Sequence, residues 1–328
     1  MSDPDNLVAE IEALGGKLGE AKASITRRFI GQERVVDLVL SALLCGGHGL
    51  LIGLPGLGKT RLVDTLGTVM GLATNRIQFT PDLMPADILG SEVLETGEDG
   101  KRAFRFIEGP IFCQLLMADE INRASPRTQS ALLQAMQEKE VTIAGEHRPL
   151  GVPFHVLATQ NPIEQEGTYP LPEAQVDRFM LKLRVGYPSR DEELEIMNRM
   201  AGSSVPEAKP VVRPETILKA RGLIADIYVD EKIKSYILDI VFATREPAEF
   251  GLADLIAYGA SPRASIYLSI ASRAHAFLRG RAFVTPEDVK AIAMDVLRHR
   301  VIITYEAEAE ELTSEDVVQR ILDSVEVP

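Results

Sequence analysis

A short glycine-rich run carries the clearest chemistry in this sequence. It reads Gly53-Leu54-Pro55-Gly56-Leu57-Gly58-Lys59-Thr60, which is a glycine, four further residues, and then Gly, Lys and Thr. Glycines let consecutive backbone N–H groups curl around phosphates, and the lysine can reach the outer phosphates. The apolar residues 49–52 precede the run and a helical pattern follows it, so a helix N-terminus would face the same anion. We therefore predict a phosphate-binding loop rather than an incidental glycine-rich turn.

This loop predicts an ATP site that includes Mg²⁺. The Thr60 hydroxyl is a suitable ligand, because Mg²⁺ keeps several of its waters and accepts few protein ligands. The residues predicted to contact the nucleotide are Gly53, Pro55, Gly56, Leu57, Gly58, Lys59, Thr60 and Arg61.

Two carboxylates follow an apolar run further along the chain. Residues 115–118 are apolar and lead into Asp119 and Glu120, so a buried strand would deliver both carboxylates to the ligand-binding edge of a sheet. Such a run alone is weak evidence, but its position after the phosphate loop makes it a Walker B arrangement. Asp119 is predicted to hold Mg²⁺ through water. Glu120 is predicted to orient or deprotonate the water that attacks the γ-phosphate.

Three further polar residues have both a catalytic and a plain interpretation. Asn161 follows the apolar run 155–159 and would lie beside Glu120 if the two strands are neighbours, but an Asn-Pro pair also commonly starts a turn. Arg178 and Arg263 could each neutralise charge on the γ-phosphate, from the same chain or from a neighbouring one. From residue type and spacing alone, a surface salt bridge is the simpler interpretation of each arginine.

The elements around these residues predict an α/β fold with a parallel sheet covered by helices. Such a sheet needs short apolar strands separated by helices, because its strands are buried on both faces. Helical stretches from Ile30 to Tyr187 alternate with apolar runs at 49–52, 76–80, 115–118 and 155–159. Two insertions interrupt this alternation and are predicted as β-hairpins. The first spans 92–106 with its turn at Asp99-Gly100, and the second spans 141–150 with its turn near Gly145.

Strand patterns fade after residue 188, where helical patterns predict a small all-α lid domain. The predicted division is an N-terminal helical leader at 1–29, a nucleotide-binding core at 30–188 and the lid at 189–328. The leader carries apolar residues at helical spacing and is predicted to break at Gly15-Gly16.

Composition and charge narrow the class of protein. Of the 328 residues, 45% are hydrophobic and 25% charged, as in an ordinary globular protein large enough for two domains. A net charge of -13 argues against general attraction to nucleic acid and leaves open only a local basic patch. The N-terminus has no pattern of an export signal, and glycines and polar residues interrupt the longest apolar window, 35–54. We expect a cytoplasmic protein with no membrane segment.

Three motifs occur together and resemble those of one family. They are residues 119–124, Asp-Glu-Ile-Asn-Arg-Ala; residues 158–162, Ala-Thr-Gln-Asn-Pro; and residues 259–264, Gly-Ala-Ser-Pro-Arg-Ala. With the phosphate loop and Arg298-His299-Arg300, the chain closely resembles the MoxR family of AAA+ ATPases from Ile30 to its end. The first thirty residues add nothing to this resemblance.

The resemblance implies a Mg²⁺-dependent ATPase that works as a homo-oligomeric ring, expected to be a hexamer, with ATP at the subunit interfaces. Asn161 then resembles the sensor 1 residue, Arg178 the arginine finger given to the neighbouring subunit, and Arg263 the sensor 2 arginine. Whether Arg263 acts in its own subunit or in the neighbour stays open. The hairpins resemble the helix-2 insert and the pre-sensor 1 hairpin of the wider clade.

The family's activity implies chaperone-like remodelling, maturation or activation of protein complexes, with a partner that carries a von Willebrand factor A domain. No residue identifies the client. Three alternatives stay open: the motor subunit of a metal chelatase, a nucleic-acid motor related to helicases, and a scaffold that binds ATP without hydrolysing it. The second hairpin carries mixed charges rather than a basic groove, which argues against the nucleic-acid motor.

Overall fold

The computed structural model describes residues 4–96, 102–163, 167–200 and 207–328. The α-helices in these ranges are α1 Pro4–Thr26, α2 Glu33–Cys45, α3 Lys59–Val69, α4 Pro85–Leu89, α5 Pro126–Glu138, α6 Glu173–Val176, α7 Arg190–Met200, α8 Pro214–Asp226, α9 Glu231–Arg245, α10 Pro262–Phe277, α11 Pro286–Leu297, α12 Tyr305–Ala309 and α13 Ser314–Ser324. The strands are β1 Gly49–Ile52, β2 Thr74–Gln78, β3 Gly90–Thr96, β4 Arg102–Glu108, β5 Leu115–Asp119, β6 Glu140–Ile143, β7 Glu146–Pro149, β8 His155–Gln160, β9 Leu181–Arg184, β10 Ile256–Tyr258 and β11 Ile302–Ile303. Short 3₁₀ helices span Ile121–Arg123 and Pro247–Phe250.

Five parallel strands form the central sheet in the order β2-β5-β8-β1-β9. Successive side chains of a strand point to opposite faces, and the inner strands β1, β5 and β8 are buried on both faces. In β1, Leu51 packs into the hydrophobic core on one face, and Leu50 packs into a second core on the other. This confirms the predicted α/β fold. The edge strand β9 was not predicted, because lysine and arginine alternate with its two leucines.

This strand order decides where the polar residues of the sequence meet. The carboxyl ends of parallel strands lie along one edge of a sheet. The phosphate loop follows β1, Asp119 ends β5, and Asn161 follows β8. Because β8 pairs with both β1 and β5, all three segments emerge side by side at this edge.

Two antiparallel hairpins project from the core, as predicted. In the first, Gly90 pairs with Glu108 and Thr96 with Arg102, so the ladder is longer than the predicted 92–106. Its predicted turn at Asp99-Gly100 lies outside the described residues. In the second hairpin, Ala144 and Gly145 connect the strands with φ values of 51° and 85°. Two consecutive positive φ angles are typical of the type I′ turn, whose twist matches that of the flanking strands.

The first helix is continuous, and the predicted break at Gly15-Gly16 is wrong. α1 runs from Pro4 to Thr26. Ile11, Leu18 and Ile25 are at most 1% exposed, and they lie in the same hydrophobic core as α3 and α8. Each helical glycine costs about 1 kcal/mol, whereas burying one leucine or isoleucine contributes about 1.5–3 kcal/mol. Packing of this apolar face therefore outweighs the two glycines.

Helices dominate the chain after residue 188. The five helices α7–α11 agree with the helical patterns of this region, and α11 begins with a capping box. Thr285 donates its backbone N–H to Asp288 Oδ2 at 2.8 Å in a capping box, and Pro286 is the first helical residue. The structure adds α12, α13 and a two-stranded sheet, β10-β11, that the sequence patterns did not predict. Among the described residues, none of the helices combines the length and hydropathy needed to cross a membrane.

Candidate active site

A cavity of about 580 Å³ opens at the carboxyl edge of the sheet. The segment from Pro55 to Arg61 lines it, together with Asp119, Glu120 and Asn161. These are the phosphate-loop residues, the two carboxylates and the amide that the sequence predicted as one site. Gly53 lies behind the loop, where its carbonyl oxygen accepts a hydrogen bond from Lys59 Nζ at 2.5 Å.

The phosphate loop is shaped by two glycines in the left-handed region. Gly56 and Gly58 have φ values of 83° and 76°, which a side chain would strain. Gly58 caps α3, and Lys59 is the first residue of that helix. The loop therefore places backbone N–H groups and the positive end of the helix dipole at the cavity, an arrangement suited to phosphate.

The Lys59 ammonium lies at the floor of the loop. Its Nζ donates to the carbonyl oxygens of Gly53 and Leu54, at 2.5 and 2.8 Å. Partial burial lowers the pKa of Lys59, and the carboxylates of Asp119 and Glu120 counteract part of this effect. This ammonium supplies positive charge at the point where the loop would hold the outer phosphates.

Asp119 is held by two donors at the end of β5. Its Oδ1 accepts from the Thr159 hydroxyl at 2.5 Å, and its Oδ2 pairs with Arg76 Nη2 at 2.5 Å. The Thr159 hydroxyl also accepts the Glu120 backbone N–H at 2.9 Å. A single buried hydroxyl on β8 thus links both carboxylate residues and sets the orientation of Asp119.

Glu120 adopts an uncommon backbone conformation, with φ 56° and ψ 50°. A non-glycine residue in this left-handed region carries a cost of about 1–2 kcal/mol, and such strain clusters at functional sites. Its carboxylate accepts from Gln78 Nε2 at 2.8 Å and pairs with Arg123 Nη1 at 3.2 Å. The kink after β5 therefore turns Glu120 toward Gln78 on β2 while keeping it at the cavity wall.

Asn161 lines the cavity and also starts a turn. The residue is 5% exposed and lines the cavity with Glu120. Its Oδ1 accepts the Ile163 backbone N–H at 3.2 Å, which is the local bond of an Asx turn. This bond starts the turn and also fixes the side chain at the edge of the cavity.

Arg178 and Arg263 lie away from the phosphate loop. Both line a second cavity, of about 230 Å³, together with Lys139 and Tyr267. Neither arginine is among the residues that line the larger cavity. Within one chain, the structure therefore brings these two arginines together with each other but not with Lys59.

Several residues of the larger cavity were not predicted from the sequence. Thr159, which lines the cavity, and Gln78, which does not, bond to the two carboxylates, and only the pairing of β8 and β2 with β5 reveals these contacts. Residues from two segments distant in the chain also line this cavity: Arg28, Phe29, Ile30, Gln32, Gly186, Pro188 and Ile196. The apolar members could enclose a flat nucleoside base. The first thirty residues therefore contribute to this site, although they carried no part of the resemblance.

The donor chemistry at the carboxyl edge fits Mg²⁺. The Thr60 hydroxyl and the Asp119 carboxylate line the same cavity, and hard oxygen ligands of this kind suit the ion. Because Asp119 is already held by Arg76 and Thr159, a contact through a metal-bound water disturbs these bonds least.

Comparison with known proteins identifies the family. Residues 48–181 match the family described as "ATPase family associated with various cellular activities (AAA)", and residues 252–321 match the AAA lid domain. The chain is 45% identical to chaperone MoxR1 of Mycobacterium tuberculosis, over 99% of this chain and 85% of that protein. It is 33% identical to protein MoxR of Paracoccus denitrificans, over 89% and 91% of the respective lengths.

A crystal structure from Cytophaga hutchinsonii shares the complete architecture. It is 43% identical in sequence and superposes with a TM-score of 0.90, covering 98% of this chain and 97% of that one. Nearly the whole length of this chain thus shares its fold with that structure. The chain is a member of the MoxR family of AAA+ ATPases.

Proposed function

We propose that this ATPase is a ring-forming motor, expected to be hexameric, that uses ATP hydrolysis for chaperone-like remodelling, maturation or activation of protein complexes. The chaperone name of its mycobacterial relative supports this activity. The division into a leader at 1–29, a core at 30–188 and a lid at 189–328 belongs to the same proposal. So do a cytoplasmic location and a partner with a von Willebrand factor A domain.

In the proposed reaction, the glycine loop and Lys59 bind the phosphates of ATP. Thr60 and Asp119 hold Mg²⁺, which neutralises phosphate charge when it is bound. Glu120 orients the attacking water and accepts its proton, and Asn161 contacts the water or the γ-phosphate. Gln78 and Arg123 both donate to Glu120 Oε2, and these two bonds orient the carboxylate at the cavity.

The observation that carries the ring is the separation of the two arginines from the phosphate loop. Arg178 and Arg263 share a cavity of their own, distinct from the one that Lys59 lines. Guanidinium groups accelerate phosphoryl transfer only when they reach the γ-phosphate, and a neighbouring subunit can supply them. We therefore propose that both arginines contact the ATP bound to the neighbouring subunit. Hydrolysis would then require two adjacent subunits.

Mixing two inactive variants tests this assignment. Arg178→Ala subunits keep an intact phosphate loop, and Lys59→Ala subunits keep intact arginines. In a head-to-tail ring of equal, random composition, roughly a quarter of interfaces join an intact loop to an intact arginine. We expect turnover to rise toward that fraction of the wild-type rate, with each variant alone as the control. Verified mixed rings that stay as inactive as the parent variants would refute action in trans.

The second hairpin gives no support to a nucleic-acid motor. Arg148 pairs with Glu146 at 2.6 Å, and His147 lies 2.7 Å from Glu140. These carboxylates offset the positive charge that a groove for a phosphate backbone requires. We expect DNA to leave ATP turnover unchanged at physiological salt. A pull-down with Glu120→Gln and ATP would then be the direct way to capture the protein client.

A further inference from the structure

The segment that carries Arg178 is tied to the helical C-terminal region through Asp177. The Asp177 Oδ1 accepts from Arg300 Nε at 2.7 Å, while Oδ2 accepts from Ser261 Oγ at 3.0 Å and pairs with Arg263 Nη1 at 3.3 Å. Ser261 caps α10, and Arg263 lies in the first turn of that helix. One carboxylate, adjacent in sequence to Arg178, therefore holds Arg263 directly.

Arg300 completes this link from the other side. Its side chain is 1% exposed, and its Nη2 donates to the carbonyl oxygens of Asp177 and Phe179 at 2.9 and 2.7 Å. Its Nη1 donates to the carbonyl oxygens of Met180, at 3.2 Å, and Val296. With Nε on the Asp177 carboxylate, all three guanidinium nitrogens of Arg300 are used. Three of these bonds clamp the backbone on both sides of Arg178.

This network reduces charge repulsion at the smaller cavity. Arg178 and Arg263 line the same space, where two cations repel each other unless a carboxylate offsets their charge. The Asp177 carboxylate pairs with both Arg263 and Arg300, so it offsets part of the positive charge beside this cavity. The clamp also fixes the backbone around Arg178 and the side chain of Arg263, which reduces the conformational entropy lost when they bind a phosphate.

We propose that Asp177 and Arg300 are positioning residues, which hold Arg178 and Arg263 as one preformed pair for the nucleotide of the neighbouring subunit. This inference rests on the proposed action of both arginines in trans. It predicts that damage to the clamp impairs the neighbour's site and leaves the subunit's own phosphate loop intact. A link that served only to stabilise the fold would not produce this asymmetry.

The test uses full-length Asp177→Asn, which keeps the size of the side chain and removes its charge. Misplacement of a catalytic group by about 1 Å can cost about 100-fold in rate, so we expect kcat to fall by about 10- to 100-fold. The KM for ATP should change little, because the phosphate loop is untouched. Mixing with Lys59→Ala, which retains an intact clamp and both arginines, should restore turnover as far as the Arg178→Ala and Lys59→Ala mixture does.

Two further variants separate positioning from stability. Arg300→Lys keeps the positive charge but loses the guanidinium fork, and we expect the same loss in kcat and the same recovery on mixing. Asp288→Asn is the matched control, because Asp288 is a buried carboxylate that pairs with Arg281 in the C-terminal region, apart from this clamp. It should lower the unfolding temperature while the kcat of assembled protein stays at the wild-type value.

The outcomes distinguish this inference from the proposed function. If the Arg178→Ala mixture recovers but the Asp177→Asn and Arg300→Lys mixtures do not, the clamp does not position the arginines and action in trans stands. A wild-type kcat in both Asp177→Asn and Arg300→Lys would also overturn the inference. If the Arg178→Ala mixture itself fails to recover, action in trans is refuted and the clamp loses its proposed role with it.

Discussion

Replacing Thr159 with valine tests how the two carboxylates of the active site are held. The side chain is fully buried, and its hydroxyl makes one bond to Asp119 at 2.5 Å and accepts one from the Glu120 N–H at 2.9 Å. Valine has nearly the same shape but can make neither bond. The substitution therefore removes hydrogen bonding from both carboxylate residues without opening a cavity.

The magnitude follows from these two bonds. A hydrogen bond to a charged group contributes about 1.5–3 kcal/mol, and an unpaired N–H costs about 1–3 kcal/mol where water cannot reach it. If the bond to Asp119 is required in the transition state, its loss corresponds to a fall in kcat of about 10- to 100-fold. Arg76 is untouched by the substitution and still pairs with Asp119. We expect the free energy of unfolding to fall by about 2.5–6 kcal/mol, the combined size of the two losses.

The assay is steady-state phosphate release against ATP concentration, repeated over a Mg²⁺ titration. Thr159→Val should lower kcat and raise the Mg²⁺ concentration needed for half-maximal turnover, while binding of a fluorescent ATP analogue changes little. Thr159→Ser keeps the hydroxyl and is the control, which should retain most of the activity. A valine variant within twofold of the wild-type kcat, or a serine variant as impaired as valine, would refute the reasoning.

Three further predictions concern charge and burial. Lys59→Ala removes the ammonium beneath the phosphate loop and should reduce ATP turnover by at least about 100-fold. Calorimetry should also show weaker ATP binding, and an unchanged affinity would contradict the assignment of this loop as the phosphate-binding site. Asp288→Asn neutralises a carboxylate that pairs with Arg281 and His275, and urea unfolding should show a loss of about 1–3 kcal/mol. Burial lowers the pKa of His48 to about 4 and that of His155 to about 3. The unfolded chain takes up these protons as pH falls through 6.5, whereas the folded chain takes them up only near pH 4 at His48 and near pH 3 at His155. Stability is therefore unaffected by these groups above pH 6.5 and falls as the pH drops from 6.5 toward 4 for His48 and toward 3 for His155. At pH 5 the loss is about 2 kcal/mol for each histidine, and urea unfolding at pH 7.5 and 5 should show less pH dependence when both are replaced by glutamine.

The N-terminal helix and the edge of the sheet show where local patterns misled the predictions. Gly15-Gly16 predicted a break because glycine weakens an isolated helix, but burial of residues such as Leu18 outweighs that local cost. β9 was not predicted, because its alternating apolar and basic residues do not form the continuous apolar run of the inner strands. Both errors came from applying a local preference where tertiary packing decides the outcome.

Some active-site residues could be predicted from local sequence patterns, and others could not. The phosphate loop, Asp119 and Glu120 could be read from order and spacing, because the chemistry of phosphate and Mg²⁺ demands particular residue types next to a strand or helix. Thr159 could not, since a threonine inside an apolar strand has no local signature of its role. Its function depends on β8 lying beside β5, which is a non-local pairing.

The sequence by itself determined that this protein binds a nucleotide. In the loop from Gly53 to Thr60, the glycines allow the backbone conformation that phosphate binding needs, and the lysine supplies the positive charge. Tertiary structure alone decided which residues complete that site. Residues far apart in the chain meet through strand order and helix packing, as Thr159 meets Asp119 and Arg300 meets Asp177. The same packing separates Arg178 and Arg263 from the phosphate loop, and no local pattern carries that information.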